Sequence, residues 1–116
     1  MTDDEIAAHI RALDEDADLL HADMTPAVSA LAAIGEPALP ALLEPLAASD
    51  ELTRLHAQRA LEGVIYQRHG FQGGQGFPAG GEEAARADLR AIGYEHDADT
   101  ASREAAIARL RDQLEP

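Results

Sequence analysis

Apolar positions recur along this chain at helical spacing. Ile6, Ile10, Leu13, Ala17 and Leu20 lie in one helical phase, which predicts a helix from about Asp3 to Ala22. Asp3 and Asp4 suit its positive N-terminal end. The acidic run from Asp14 to Asp18 is poor helix-forming material and marks a place where it could break. Thr25-Pro26 is a start signal, an N-cap hydroxyl followed by a proline in the first turn. Val28, Leu31 and Ile34 continue that helix, with Ala27 and Ala30 alongside, and Gly35 is placed to end it at C′. Pro37 opens the next segment, whose stripe is Leu39, Leu42, Leu43 and Leu46. Pro40 is cheap near a first turn, whereas the interior Pro45 is expected to kink the helix.

Ser49 or Asp50 is expected to cap a third segment running to about Tyr66, with Ala57, Ala60, Leu61 and Val64 inward. Gly63 within it costs about 1 kcal/mol relative to alanine, which close approach of a neighbouring helix would explain. Past a glycine-rich stretch, Glu82–Ile92 has Ala85, Leu89 and Ile92 on one face, and Gly93 is placed as its C′ residue. Tyr94 would then pack on Leu89 in a Schellman arrangement. A last helix spans about Thr100 to Leu114, inward at Ile107, Leu110 and Leu114 and with Arg103 aside. No segment alternates β-branched and polar residues, so the chain is expected to be all-α.

Two stretches repeat. TPAVSALAAIG from Thr25 and LHAQRALEGVI from Leu55 superpose at an offset of 30, pairing Ala27 with Ala57, Ala30 with Ala60, Leu31 with Leu61 and Ile34 with Val64. A short helix, a glycine turn, a proline-started leucine-rich helix and an acidic turn form one period of a helical-hairpin solenoid. Ala33-Ile34-Gly35, Ala38, Pro40, Leu42, Leu43, Asp50, Arg54, Ala57, Ala60 and Leu61 occupy the positions of a HEAT-like repeat of the phycobilisome-lyase type. Residues 24–66 resemble that family, and the resemblance implies a stacked-helix scaffold that binds other macromolecules. It does not imply lyase chemistry, because no cysteine carries over. The expected architecture is a short α-helical hairpin solenoid or HEAT-like bundle of about five to six helices with one long Gly-rich loop. It forms a single domain over 1–116: an N-terminal helix at 3–22, a repeat core at 25–66, the loop at 67–81 and C-terminal helices at 82–116.

Charge changes the picture more than composition does. The formal net charge is −13, with 22 acids against 9 bases, every base is arginine, and residues 1–23 hold eight acids against Arg11. Such a chain repels nucleic acid and anionic membranes and attracts basic partners. No run is long and apolar enough for a membrane span. The acidic, amphipathic N-terminus does not read as a signal peptide, so the expected location is cytoplasmic. With no cysteine, disulfides and thiolate chemistry drop out.

The remaining motifs are weak. Gly73-Gly74-Gln75 resembles the GGQ tripeptide of peptide-chain release factors, but those dock on anionic RNA, which this charge opposes. No Gly-Lys-Ser/Thr follows a strand, as a phosphate loop requires. Asp14, Asp16 and Asp18 imitate the start of an EF-hand, yet Leu19 and Thr25 stand where glycine and glutamate are needed. His9, His21, His56, His69 and His96 include no helical pair at ligand spacing. Glu95, His96, Asp97 and Asp99 could hold a divalent cation weakly or simply form the turn before the last helix, with Asp99 or Thr100 capping it. No nucleophile has an evident base. No catalytic residue, metal or cofactor is expected, and the chain is read as a non-enzyme.

The stretch RHGFQGGQGFPAGG, 68–81, is long for a helix–helix connection. Phe71 and Phe77 either plug the end of an aromatic-poor core or, with Arg68 and His69, present interface anchors. The expected function is protein binding: a small acidic scaffold whose partner is another protein, or an acidic inhibitor, such as an immunity protein or nucleic-acid mimic, that neutralises a basic enzyme or toxin. Candidate interaction residues are Arg68, His69, Phe71 and Phe77 in the loop and Asp14, Glu15, Asp16 and Asp18 in the acidic region.

Overall fold

The structure, a computed structural model, describes residues 3–115. It is an all-helical bundle: α1 (Asp3–Arg11), α2 (Pro26–Ile34), α3 (Leu39–Leu46), α4 (Glu51–Arg68), α5 (Gly81–Ile92) and α6 (Thr100–Leu114), with a 3₁₀ turn over Glu36–Ala38. Among the described residues there is no strand beyond one isolated antiparallel bridge between Gln72 and Gly76. No single described helix is long and apolar enough to cross a membrane.

α4 is the axis of the bundle. It packs on α2, α3 and α5, while α1 leans on α2 and α3, and α6 on α3 and α5. Leu39, Leu42 and Leu46 of α3 and Leu61, Val64 and Ile65 of α4 are all buried, as are Ala57 and Ala60. The aliphatic core expected from the leucine stripe is therefore present, drawing on residues from Ile6 to Leu110. Burying a leucine contributes about 1.5–3 kcal/mol, so these side chains dominate the driving force.

Gly63 is where α2 meets α4. A Cβ built there would lie 2.5 Å from the Ala32 Cβ, well inside van der Waals contact. The helix-propensity cost of glycine is thus offset by backbone approach, as the sequence implied. The caps at Thr25, Asp50 and Asp99 also form: their side-chain oxygens accept the N–H groups of Val28, Leu52 and Ser102.

Five local expectations need correction. α1 ends at Arg11 rather than Ala22; Leu13, just past its end, is the last buried residue of the stripe, and Ala17 and Leu20 face solvent. The acidic run beyond it does not continue the helix: Asp16 takes a positive φ of 59°, and Asp18 accepts from the backbone N–H groups of Leu20 and His21 and so ties the chain into a turn. Gly35 does end α2, but with φ 84° and ψ −146° rather than as a left-handed αL residue. Pro37 falls in the 3₁₀ turn, so α3 proper begins at Leu39. Pro45 does not kink a longer helix: α3 stops at Leu46, one residue beyond the missing N–H. α5 closes on Gly93 through one bond, from its N–H to the Leu89 carbonyl at 2.8 Å, which is the αL motif and not the Schellman pair. Tyr94 is instead buried, with its hydroxyl donating to the Leu46 carbonyl at 2.6 Å.

Candidate interaction site

α2 and α4 touch through Ala32 and Gly63, and residues this small leave a trough above the crossing. Ala33, exposed on α2, and Tyr66, half-buried on α4, form its walls. Met24 lies at one end, and Phe71 and Gly73 of the glycine loop close the other. The result is an open, mainly apolar groove of about 720 Å³, within the size range of recognition sites. Arg59 borders it, but its guanidinium is already paired with Asp23 at 2.7 Å and Glu62 at 2.9 Å. Hydrogen bonding from Arg59 also holds the Asp23 carboxyl below the usual aspartate range.

The glycine loop is built on an aromatic cluster. Tyr66 and Phe77 meet edge-to-face with centroids 5.4 Å apart, and Phe71 lies 5.1 Å from Phe77 and 5.9 Å from Tyr66. Such pairs contribute about 0.5–1.5 kcal/mol each beyond area burial. Phe77 packs against the core, whereas Phe71 is 39% exposed at the groove mouth. Gln72 and Gly76 exchange backbone bonds across a tight turn in which Gly74 and Gly76 have positive φ. The two phenylalanines therefore part: Phe77 turns in and Phe71 turns out.

Arg68 and His69 are held at the root of this loop by the chain's own acids. Arg68 donates to Glu36 at 2.7 and 3.0 Å and to Asp88 at 3.1 Å, and His69 Nε2 lies 2.6 Å from the same Asp88 oxygen. These bonds, from His69 first and then Arg68, pull the Asp88 carboxyl below the ordinary aspartate range. Asp88 was no candidate from sequence. Its place opposite Arg68 depends on how α5 returns across the loop, which no local pattern reveals.

The acidic candidates divide in the same way. Asp14 accepts from the Thr53 hydroxyl at 2.5 Å and lies 2.6 Å from His56 Nδ1. His56 is fully buried, and its Nε2 lies 2.9 Å from the Ala22 carbonyl. That carbonyl only accepts, so the contact assigns Nε2 as the donor, and Nδ1 faces the Asp14 carboxyl. His56 thereby fastens both limbs of the 12–25 loop to α4. Sequence gave one hint of this: His56 precedes Ala60 and Val64 at helical spacing and so extends their inward face. Glu15 and Asp16 stand exposed. Asp18 is spent on the turn, and the backbone N–H groups of Leu20 and His21 hold its carboxyl below the usual range.

Two further buried polar residues on α4 were missed, and both hold the 93–99 turn. Arg54 donates to the carbonyls of Ala48, Ser49 and His96, each at 2.9 Å, and Gln58 accepts from the His96 N–H at 2.8 Å. Asp99 of the Glu95–Asp99 segment caps α6, and among the described residues no three His or acidic side chains converge as a metal site requires. Compared with protein-family models, with curated proteins and with solved structures, the chain matches none of them.

Proposed function

We propose that this chain is a non-enzymatic protein-binding module whose groove between α2, α4 and the glycine loop receives a partner. The observation that carries this reading is the groove itself: an apolar trough walled by Tyr66 with Phe71 exposed at its mouth. Half-exposed aromatics beside a concavity are the residue type that anchors interfaces. The resemblance of residues 24–66 to HEAT-like repeats points the same way. His56, Arg54, Gln58, Arg68 and Asp88, which could otherwise do chemistry, are engaged in holding loops.

A second reading, an acidic inhibitor of a basic enzyme or toxin, is favoured by one specific observation. The most exposed leucines of the structure stand in its most acidic segment. Salt separates the two readings, because charge-steered capture slows steeply with ionic strength and an apolar groove does not.

The test begins with the tagged protein produced in its own cells. Partners that co-purify are themselves purified and titrated by calorimetry. Ala33→Arg, at an exposed α2 position, fills the groove without entering the core and should weaken binding by at least about tenfold. An affinity unchanged by both Ala33→Arg and Phe71→Ala overturns the groove assignment.

A further inference from the structure

Leu19 is 101% exposed and Leu20 87%. Scattered exposed leucines are ordinary, but these two are adjacent and stand on a segment held in place at every level. At the tip, Asp18 Oδ1 accepts from Leu20 at 2.7 Å and from His21 at 3.1 Å. Below it, the Asp18 N–H donates to the Met24 carbonyl and the Met24 N–H to the His21 carbonyl, closing the loop on itself. At the base, the buried Thr25 hydroxyl donates to the Leu13 carbonyl at 2.8 Å. His56 bonds Ala22 and Asp14, and Arg59 bonds Asp23. Nothing in the fold uses the leucines, while four side chains hold the frame that displays them. A preorganised apolar tip loses little conformational entropy on docking, which is the main cost of binding through a loop.

The charges around the tip say what it fits. Asp14 and Asp23 are matched internally and Asp18 is engaged by the turn, leaving Glu15 and Asp16 exposed beside the leucine segment. No arginine or lysine occurs between Arg11 and Arg54. A second copy is a poor occupant, because each chain carries −13, and an anionic membrane is opposed by the same field.

We propose that the Leu19–Leu20 tip is a docking element, and that its partner is a protein surface with an apolar pocket rimmed by arginine or lysine. This rests on the reading that the chain binds protein, and it does not depend on the groove. The two leucines enter the pocket, while Glu15 and Asp16 face the basic rim, steer encounter and fix orientation.

The test places the photoreactive residue p-benzoylphenylalanine at position 19 or 20 of the full chain in the cells that make it, with position 104 on the exposed face of α6 as control. We expect adducts with one polypeptide from 19 and 20 and none from 104. For the purified pair, the double variant Leu19→Ser/Leu20→Ser should raise Kd at least about tenfold while leaving the melting temperature unchanged. Raising NaCl from about 50 to 300 mM should weaken the wild-type complex. The tip assignment falls if no adduct forms at 19 or 20, if position 104 labels equally, or if the purified partner tolerates the double variant. It also falls if binding is insensitive to salt. A partner lost by Ala33→Arg but retained by the double variant leaves the protein-binding reading standing and removes only the tip.

Discussion

The two long connections of this bundle, 12–25 and 69–80, solve one problem with opposite chemistry. Each must fix backbone that has almost no secondary structure of its own. The glycine loop does it from within: Phe77 turns into the core, Tyr66 and Phe71 stack on it, and the glycines permit the tight turn. The acidic loop does it largely from outside, through bonds to Thr53, His56 and Arg59 of α4; Leu13 at its start is buried, but Leu19 and Leu20 at its tip face solvent. A loop that buries its aromatics gains stability from them. A loop that exposes Leu19 and Leu20 gains none, so its order has to be supplied by the helix beside it. The acidic loop therefore depends on a few polar contacts, whereas the glycine loop depends on area.

The largest effect is expected where that dependence is concentrated. His56→Ala leaves a buried void and removes both the Asp14 contact and the bond to the Ala22 carbonyl. It should destabilise the protein by about 3 kcal/mol, combining the lost packing of a fully buried ring with the lost bonds to the loop. Hydrogen exchange should show the loss of protection concentrated in 12–25 and α1, with the glycine loop spared. Equal loosening of both loops would break the contrast.

Legibility in the sequence follows the same divide. Helix limits that rest on local chemistry can be read directly: the caps at Thr25, Asp50 and Asp99, the end at Gly93 and the span of α6 all stand where spacing predicts them. The inward leucines of α3 and the close approach at Gly63 follow from the stripe and the misplaced glycine. What fails is the extension of a helical phase through acids. Leu20 keeps the phase of Ile6 and Leu13, but phase has no meaning once Asp18 has turned the chain. Partners distant in sequence, such as His56 with Ala22 or Arg68 with Asp88, leave little local trace, because they are chosen by how helices cross. Phe71 and Phe77 have nearly identical glycine-rich surroundings, so nothing local tells which one turns inward.

A smaller effect separates those two rings. Phe77→Ala should cost about 2–3 kcal/mol, lower than a full core truncation because the ring is only partly buried. Phe71→Ala, at the exposed mouth, should cost less than about 1 kcal/mol. Urea denaturation of each variant measures both. Equal losses would mean that the aromatic cluster acts as one unit, and the division into an inner plug and an outer anchor would fail.

The smallest effect probes charge at the root of the glycine loop. The Asp88 carboxyl is lowered from 3.8 by hydrogen bonds, first from His69 and then from Arg68. A folded-state value below the unfolded one means that the unfolded chain takes up the proton first. The contribution is therefore complete above the unfolded value and disappears as pH falls through the lower folded value. Asp23 on the acidic loop is lowered in the same sense by Arg59, so acid should loosen both connections. Asp88→Asn removes only the glycine loop's share. Since Asp88 is over a third exposed at its side chain, 35%, solvent screening limits that share to less than about 1 kcal/mol. Urea midpoints measured at about pH 7 and about pH 3 should fall with acid in the wild type and fall less steeply in Asp88→Asn. An unchanged slope would mean that the Asp88 carboxyl does not hold the loop's root, leaving the aromatic cluster and the Arg68–Glu36 pair to fasten it.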